Sequence, residues 1–288
     1  MEIIRTVNDL RRYVASRRSE GARIALVPTM GALHDGHISL VNKALSNGDE
    51  VVASVFVNPV QFNNATDLAT YPRNEKADFA RLEEAGAAAV FAPGVEEMYP
   101  EGTDGPAPEF DLGDVAEVME GKYRPGHFQG VARVVSLLLR MVEPDRAYFG
   151  EKDFQQIAVI RRMIATEGID VEIVSWPIKR AADGLALSSR NALLTEEQRA
   201  IAPGIYEALR YSVGYSADHS VQATHDTVVE RIEALPGCRV EYFEIVDGIT
   251  LRSVDDWSDS DYIVGCITVY CGQIRLIDNI KYRPLADN

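Results

Sequence analysis

The chain of 288 residues is 46 % hydrophobic and 25 % charged, a composition typical of folded proteins that disfavours extensive disorder. Its 44 acidic and 29 basic residues give a net charge of −15, which argues against broad, nonspecific binding to nucleic acid or anionic lipid but not against a local basic pocket. The N-terminus lacks the apolar stretch of a signal peptide and no uninterrupted apolar run approaches the roughly 20 residues of a membrane span, so we expect a cytoplasmic protein.

Strand-like apolar runs alternate with helical patterns over the first ~180 residues, which is the order expected for parallel βαβ units. One helical pattern, residues 131–142, has the apolar spacing of a buried face. We therefore expect an α/β fold in which a Rossmann-like parallel sheet has helices on both faces and occupies residues 1–178. The predicted strands are residues 24–27, 51–57, 87–91, 146–149 and 171–174.

A different pattern begins at Thr195, where Thr-Glu-Glu-Gln has the spacing of a helix capping box. The Gly, Asp and Ser content of residues 181–189 marks an exposed connection before it. We expect a smaller α+β domain over residues 179–288 that closes over the site. Its predicted helices are residues 200–211 and 221–235, and its predicted strands are residues 240–246, 262–269 and 273–277.

Two histidines, His34 and His37, stand between the first predicted strand and the helix that follows it. Positions three residues apart share a helix face, and a helix N-terminus offers free N–H groups to an anion. Gly31 and Gly36 allow a tight turn and close approach of a ligand to the backbone. The pattern predicts a phosphate site, although such a histidine pair is equally compatible with a surface or structural role and the glycines with ordinary turns.

Polar residues also follow the other predicted strands, as in residues 58–62 and 150–153. Because the carboxyl ends of parallel strands meet at one edge of the sheet, these side chains are expected near the histidines. Lys152 supplies a positive charge there. Its place directly after a strand favours a role in binding phosphate over that of a solvated surface lysine.

Taken together, these segments resemble the pantothenate synthetase family of the nucleotidyltransferase superfamily, and the resemblance runs in order along nearly the whole chain. The His-x-Gly-His core by itself indicates only the superfamily, whereas its companions indicate the family. The matching segments are residues 28–37 (PTMGALHDGH), 56–62 (FVNPVQF), 71–73 (YPR), 123–128 (YRPGHF), 149–156 (FGEKDFQQ) and 183–191 (DGLALSSRN).

The resemblance implies a ligase that uses ATP as a substrate to join pantoate to β-alanine through a pantoyl adenylate, releasing pyrophosphate and AMP. It implies that His37 is the proton donor and that His34, Lys152, Ser188, Ser189 and Arg190 are also catalytic. The ATP-binding residues implied in this way are Met30, Gly31, Ala32, Leu33, His34, Asp35, Gly36, His37, Gly150, Glu151, Lys152, Asp153, Lys179, Leu187, Ser188, Ser189 and Arg190.

Gln61, Gln156 and Asn58 match the positions that hold pantoate or β-alanine in the family. Neutral amides suit a hydroxy acid with an attacking carboxylate, since they donate to the carboxylate and accept from its hydroxyls. Asn58 precedes a proline and is also compatible with a simple turn. Arg124 and His127 are expected to support the site from nearby loops, as is Tyr71, although each is equally compatible with a purely structural role.

The family resemblance also implies Mg²⁺, which accompanies ATP and bridges its phosphate oxygens. Only Asp78 matches the acidic metal ligands assigned in the family, so the ion is expected to be held mainly by ATP and water. A homodimer is implied as well, with small-molecule substrates and neither nucleic acid nor membrane as partners.

Two other functions remain open from the sequence. One is an adenylate-forming enzyme of the same superfamily with a different acceptor, against which Gln61 and Gln156 argue. The other is a nonenzymatic ATP-binding regulator, which would be expected to lose reactive groups such as Lys152 and Arg190 that this chain retains. A tRNA synthetase is disfavoured by the charge, and a dehydrogenase by the absence of a Gly-x-Gly-x-x-Gly segment after the first strand.

Overall fold

A six-stranded sheet, in which all neighbouring strands are parallel, forms the centre of the N-terminal region. The computed structural model describes residues 1–284. The strands are β1 (Glu2–Ile4), β2 (Ile24–Thr29), β3 (Glu50–Val55), β4 (Ala89–Phe91), β5 (Arg146–Gly150) and β6 (Glu172–Trp176). Their order across the sheet is β1, β4, β3, β2, β5, β6.

Helices cover both faces of this sheet, as expected. Successive residues of β2 show this, because Ile24 and Leu26 pack into one hydrophobic core while Ala25 and Val27 pack into another. None of the helices within residues 1–284 is long and apolar enough to cross a membrane. Those of the N-terminal region are α1 (Val7–Ser19), α2 (Asp35–Ser46), α3 (Ala65–Thr70), α4 (Glu75–Glu84), α5 (Val95–Met98), α6 (Glu120–Tyr123), α7 (His127–Val142) and α8 (Phe154–Glu167).

The C-terminal region has a three-stranded antiparallel sheet with its own hydrophobic core. The last four residues of the range predicted for this region, 285–288, lie outside the described residues. Its elements are α9 (Glu196–Ile201), α10 (Gly204–Tyr215), α11 (Val221–Glu233), β7 (Cys238–Asp247), β8 (Ile263–Cys271) and β9 (Ile274–Arg283).

Each strand predicted from the sequence is present, and the α/β fold with a smaller α+β region is confirmed. The capping box at Thr195 is also present and begins α9. The expected helix over residues 200–211 is instead two helices, α9 and α10, because Pro203 lacks the N–H that would continue the first one. The prediction missed β1, whose three residues are too few for a recognisable pattern.

A buried carboxylate on α6 joins the N-terminal region to the antiparallel sheet. Glu120 accepts hydrogen bonds from both terminal nitrogens of Arg275, each at 2.7 Å. It also accepts from the hydroxyls of Tyr242 at 2.8 Å and Thr268 at 3.0 Å. All three donors lie on the antiparallel sheet, so this single side chain holds that sheet against α6.

Gly130 of α7 is expected to resist substitution because a Cβ there would lie 2.7 Å from the carbonyl oxygen of Val60. Alanine favours a helix over glycine by roughly 1 kcal/mol, but forcing a methyl group into a packed contact costs about 1–3 kcal/mol. We therefore expect Gly130→Ala to lower the free energy of unfolding in urea. Gly214→Ala in α10 is the control, since nothing lies within 4 Å of its Cβ position and the variant should gain stability. Equal gains in both variants would contradict this packing argument.

Candidate active site

A cavity of about 200 Å³ opens at the carboxyl ends of β2 and β5. The strand order explains the location of this cavity. The strands that follow β2 in the chain, β3 and β4, lie on one side of it in the sheet, whereas β5 and β6 lie on the other. In an open parallel sheet, loops on either side of such a change in strand order part and leave a crevice for a ligand. The segments that follow these two strands contain the predicted histidines and Lys152.

The segment after β2 makes a left-handed turn and then starts α2. Gly31 and Ala32 have φ values of +77° and +48°. His34 is the N-cap residue, and its Nδ1 accepts the N–H of Gly36 at 3.1 Å. The Nδ1 of His37 accepts the N–H of His34 at 3.2 Å, which completes a capping box made of imidazoles.

This capping box determines the tautomers of both rings. Since each Nδ1 accepts a backbone N–H, the ring proton lies on Nε2, which is left as a donor. The ring centroids are 4.1 Å apart, so the two rings can serve one ligand. Gly36 is needed here because a Cβ would lie 2.8 Å from the His34 ring.

Both imidazoles are neutral near pH 7. Burial, followed by the charge of Lys152, lowers the pKa of His34 to about 4. Burial, followed by the adjacent His34, lowers the pKa of His37 well below its usual value. The pair therefore offers N–H donors and no positive charge.

Asp78 of α4 braces the histidine segment from behind. One carboxylate oxygen accepts the N–H of Ala32 at 2.9 Å and the other accepts that of Leu33 at 2.7 Å. The side chain is 3 % exposed and does not line the cavity. Each oxygen thus accepts one backbone N–H, which gives Asp78 a structural role in the turn, and its role as a metal ligand stays a prediction. In residues 1–284 no group of three His, Cys, Asp or Glu side chains is arranged to hold a metal.

The turn after β5 brings Lys152 and Asp153 to the cavity, with their charged atoms 3.3 Å apart. Glu151 turns away and pairs with Lys281 at 2.9 Å. The side chain of Asn279 donates to the backbone carbonyls of Glu151 at 2.7 Å and Lys152 at 3.2 Å. The antiparallel sheet thus supports the turn that carries the lysine.

The Ser188–Arg190 segment reaches the cavity from the C-terminal region. Ser188 caps the short 3-10 helix of residues 189–193, and the hydroxyl of Ser189 donates to the carbonyl of Ala32 at 3.0 Å. Arg190 pairs with Asp67 of α3 at 2.8 Å. These contacts hold the segment against the N-terminal region beside the histidines.

Three amides also line the cavity, and they differ in how many of their hydrogen-bonding groups are already paired with protein atoms. Asn58 donates to Gln61 Oε1 and to the carbonyl of Gly130, both at 3.2 Å. It accepts from the hydroxyl of Tyr99 at 2.7 Å and from the N–H of Val60 at 3.3 Å. All its hydrogen-bonding capacity is used, so Asn58 orients Gln61 rather than offering itself to a ligand.

Gln61 and Gln156 differ from that asparagine. Within residues 1–284 the amide nitrogen of Gln61 hydrogen-bonds only the sulfur of Met30, at 3.2 Å. The amide of Gln156 makes no hydrogen bond to any residue in the described range. Both amides therefore have donors and acceptors available to a ligand.

Most of the predicted site residues line this one cavity. Those that do not are Gly31, Ala32 and Leu33, which form the turn, and Asp35, Glu151 and Asp78, which pair with other protein groups. The lining residues among those predicted are Met30, His34, Gly36, His37, Asn58, Gln61, Gly150, Lys152, Asp153, Gln156, Lys179, Leu187, Ser188, Ser189 and Arg190.

The sequence did not indicate the role of Asp67. Its partner Arg190 is 123 positions away in the chain, and no local pattern links the two. Tyr71 also lines the cavity, with its side chain buried.

Comparisons with known proteins agree on one family. Residues 2–281 match the model of the family described as Pantoate-beta-alanine ligase. The chain is 60 % identical to a pantothenate synthetase of Porphyromonas gingivalis strain W83, with 98 % of this chain and 99 % of that protein covered. It is 53 % identical to a pantothenate synthetase of Bacteroides thetaiotaomicron, with 99 % and 100 % covered.

Solved structures agree with these relatives. The pantothenate synthetase of Thermus thermophilus superposes with a TM-score of 0.92 at 44 % identity, covering 99 % of this chain and 100 % of that one. A pantoate-beta-alanine ligase of Francisella tularensis, solved with beta-gamma ATP and beta-alanine, superposes with a TM-score of 0.78 at 34 % identity. That match covers 98 % of each chain.

His34→Asn is expected to make the fold less sensitive to acid. The variant keeps an N-cap acceptor, since Asn is a preferred N-cap residue. In the wild type the pKa of His34 is about 4 when folded and about 6.5 when unfolded, so the unfolded chain binds the proton first. Stability conferred by the neutral ring is complete above pH 6.5 and is lost as the pH falls toward 4. Urea unfolding at pH 7 and pH 5 should show a smaller loss in His34→Asn, and an equal loss would contradict this assignment.

Asp78→Asn is expected to destabilise the histidine turn without changing metal dependence. The amide can accept one of the two backbone N–H groups but presents its NH₂ to the other, which costs about 1–3 kcal/mol. We expect a lower free energy of unfolding and reduced activity, with an unchanged Mg²⁺ concentration for half-maximal activity. A large rise in that concentration would instead support Asp78 as a metal ligand. Asp114→Asn, which alters an exposed pair with Arg252 outside the cavity, is the control.

Proposed function

Because this chain belongs to the pantoate-beta-alanine ligase family, we propose that the cavity between β2 and β5 is the site at which it makes pantothenate. The chain is a ligase that condenses pantoate with β-alanine in a reaction that uses ATP. The site assignment rests on two neutral imidazoles, each of which has a free Nε2–H. They line the same cavity as Lys152 and the amides of Gln61 and Gln156.

The reaction is proposed to run in two steps. A carboxylate oxygen of pantoate attacks the α-phosphorus of ATP, and the bond from that phosphorus to the bridging oxygen of pyrophosphate breaks. The β-alanine amine then adds to the carbonyl carbon of the adenylate. A C–N bond forms, the C–O bond to AMP breaks, and the amine loses a proton.

Charge accumulates on the phosphate oxygens in the first step, and positioned donors lower its energy. We assign this role to the Nε2–H groups of His34 and His37, with His37 as the proton donor. The Lys152 ammonium would balance the charge of the α- and β-phosphates. Arg190 and the hydroxyls of Ser188 and Ser189 suit the leaving pyrophosphate, because a guanidinium can present two parallel donors.

The nucleoside is proposed to lie against the turn after β5. Gly150 leaves room for it, and the Asp153 carboxylate is a natural acceptor for ribose hydroxyls. The backbone of Lys179, which accepts the N–H of Leu187 at 3.0 Å, is assigned to adenine. Glu151 is omitted from this assignment because its side chain is paired with Lys281.

Pantoate is proposed to bind between Gln61 and Gln156. Their amides can donate to its carboxylate and accept from its hydroxyls without a fixed cation that would weaken the nucleophile. Asn58 acts through Gln61, whose amide it orients.

Mg²⁺ is proposed to enter as the ATP complex, held by phosphate oxygens and water. We further propose a domain boundary between residues 178 and 179, closure of residues 179–288 over the site, a homodimer, and a cytoplasmic location. The contacts from Ser189 to Ala32 and from Arg190 to Asp67 support closure. Light scattering of the purified chain tests the dimer, and cell fractionation tests the location.

Pyrophosphate exchange into ATP, with pantoate present and β-alanine absent, tests the proposed site. AMP should then be released when β-alanine is added. We expect His37→Gln to lower the exchange rate about 10²–10³-fold, the range for losing one positioned donor. Glutamine at this position can still complete a capping box, so the unfolding transition should remain near that of the wild type.

His225→Gln, on α11 outside the cavity, is the matched control and should keep the wild-type rate. Absence of pantoate-dependent exchange in the folded wild type would overturn the two-step function. Full exchange in folded His37→Gln would overturn the role of His37.

A further inference from the structure

A second cavity, of about 60 Å³, adjoins the first under the antiparallel sheet. The two cavities share Lys152, Asp153, Gln156 and Arg190 in their walls, so they lie side by side. The second is about four times the roughly 15 Å³ that one water molecule needs. It can hold the end of a small ligand whose other end lies beside Gln156.

Among the described residues in the wall of this second cavity, Arg124 is the arginine with the weakest pairing to a protein anion. Arg275 is bound by Glu120 and by Glu241. Arg124 has only a long contact of 3.4 Å with Glu120, whose oxygens already accept four shorter hydrogen bonds. Neither Nε nor the second terminal nitrogen of Arg124 makes a hydrogen bond within residues 1–284. An edge of the guanidinium is therefore available to a ligand.

The two arginines differ in their electrostatic balance. Burial lowers the pKa of Arg124, and Glu120 compensates only in part. Burial also acts on Arg275, but its hydrogen bonds to Glu120 raise the pKa of that guanidinium overall. An anion placed beside Arg124 would supply the compensation that Arg275 already has.

His127 links Arg124 to the proposed pantoate site through two hydrogen bonds. Its first terminal nitrogen donates to Nε2 of His127 at 3.1 Å, because arginine can only donate. The Nδ1 of that ring therefore carries the proton and donates to the backbone carbonyl of Gln61 at 2.9 Å. The guanidinium and Gln61 are thus positioned by one neutral imidazole.

We propose that Arg124 binds the carboxylate of β-alanine in the second cavity, an inference that rests on the proposed function. The amine of β-alanine must reach the acyl carbon beside Gln156, and its carboxylate lies two methylene groups farther on. Because Gln156 lies in the walls of both cavities, the molecule can extend from one into the other. Asn58 is saturated by protein groups and leaves this carboxylate to another partner.

The other anions in the reaction fit this cavity less well. Pyrophosphate is assigned to the histidine pair, which lines the first cavity and not the second. The pantoate carboxylate is the nucleophile of the first step, and an ion pair would weaken it. The β-alanine carboxylate takes no part in bond making, so pairing it with Arg124 selects the amino acid without slowing the chemistry.

The test compares β-alanine with propylamine, which has a methyl group in place of the carboxylate. Amide formation from each amine is measured as kcat/KM in the wild type and in Arg124→Gln, together with pantoate-dependent pyrophosphate exchange. We expect the preference for β-alanine over propylamine to fall about 30-fold or more in the variant. Exchange should stay within about threefold of the wild type, since the proposed role of Arg124 begins after the first step.

Arg162→Gln, which breaks an exposed pair with Asp111 outside both cavities, is the control and should leave the preference unchanged. Equal loss of kcat/KM for both amines would overturn the inference, because a structural role does not distinguish them. A parallel loss of exchange in Arg124→Gln would assign Arg124 to the first step and also overturn it.

Arg124→Lys provides a second measurement if the glutamine variant does not fold. It keeps a positive charge beside Glu120 but lacks the two parallel donors, so the preference should fall about tenfold. An unchanged preference in folded Arg124→Lys would overturn the inference. Wild-type protein without pantoate-dependent exchange would instead overturn the proposed function, so the two failures are distinguishable.

Discussion

The hydrogen bonds from the N–H groups of Ala32 and Leu33 to the Asp78 carboxylate hold together the turn on which the site depends. Gly31 and Ala32 are both left-handed there, and a non-glycine residue in that conformation needs support from its surroundings. With the turn fixed, α2 starts at His34, and its capping box orients both imidazoles. A buried carboxylate thus determines where two neutral Nε2–H donors lie.

A second buried carboxylate, Glu120, sets the position of the antiparallel sheet. Burial alone would raise its pKa, but Arg275 lowers the pKa to about 2, so the group stays ionised and paired. The sheet held in this way presents Asn279 to the turn that carries Lys152. Packing between the two sheets therefore acts on the site through backbone carbonyls as well as through side chains.

Charge is distributed unevenly in the two cavities, and the distribution matches the proposed chemistry. Neutral imidazoles and amides surround the place where a nucleophile and an α-phosphate would meet, while Lys152 and Arg190 lie toward the phosphates. Arg124 lines the second cavity and not the first, whereas Gln156 lines both. Cations are thus available for groups that carry charge throughout the reaction, and neutral donors for the group that reacts.

The sequence by itself determined the α/β fold, the strands after which functional residues follow, and the chemical types of those residues, because apolar periodicity and short motifs are local. The place of His34 and His37 between a strand and a helix follows from such a local pattern. Only the tertiary structure decided that Asp78 braces a turn, that Asn58 orients Gln61, and that Arg190 meets Asp67. Each of these depends on side chains whose hydrogen-bonding capacity is filled only when the sheets and loops pack together.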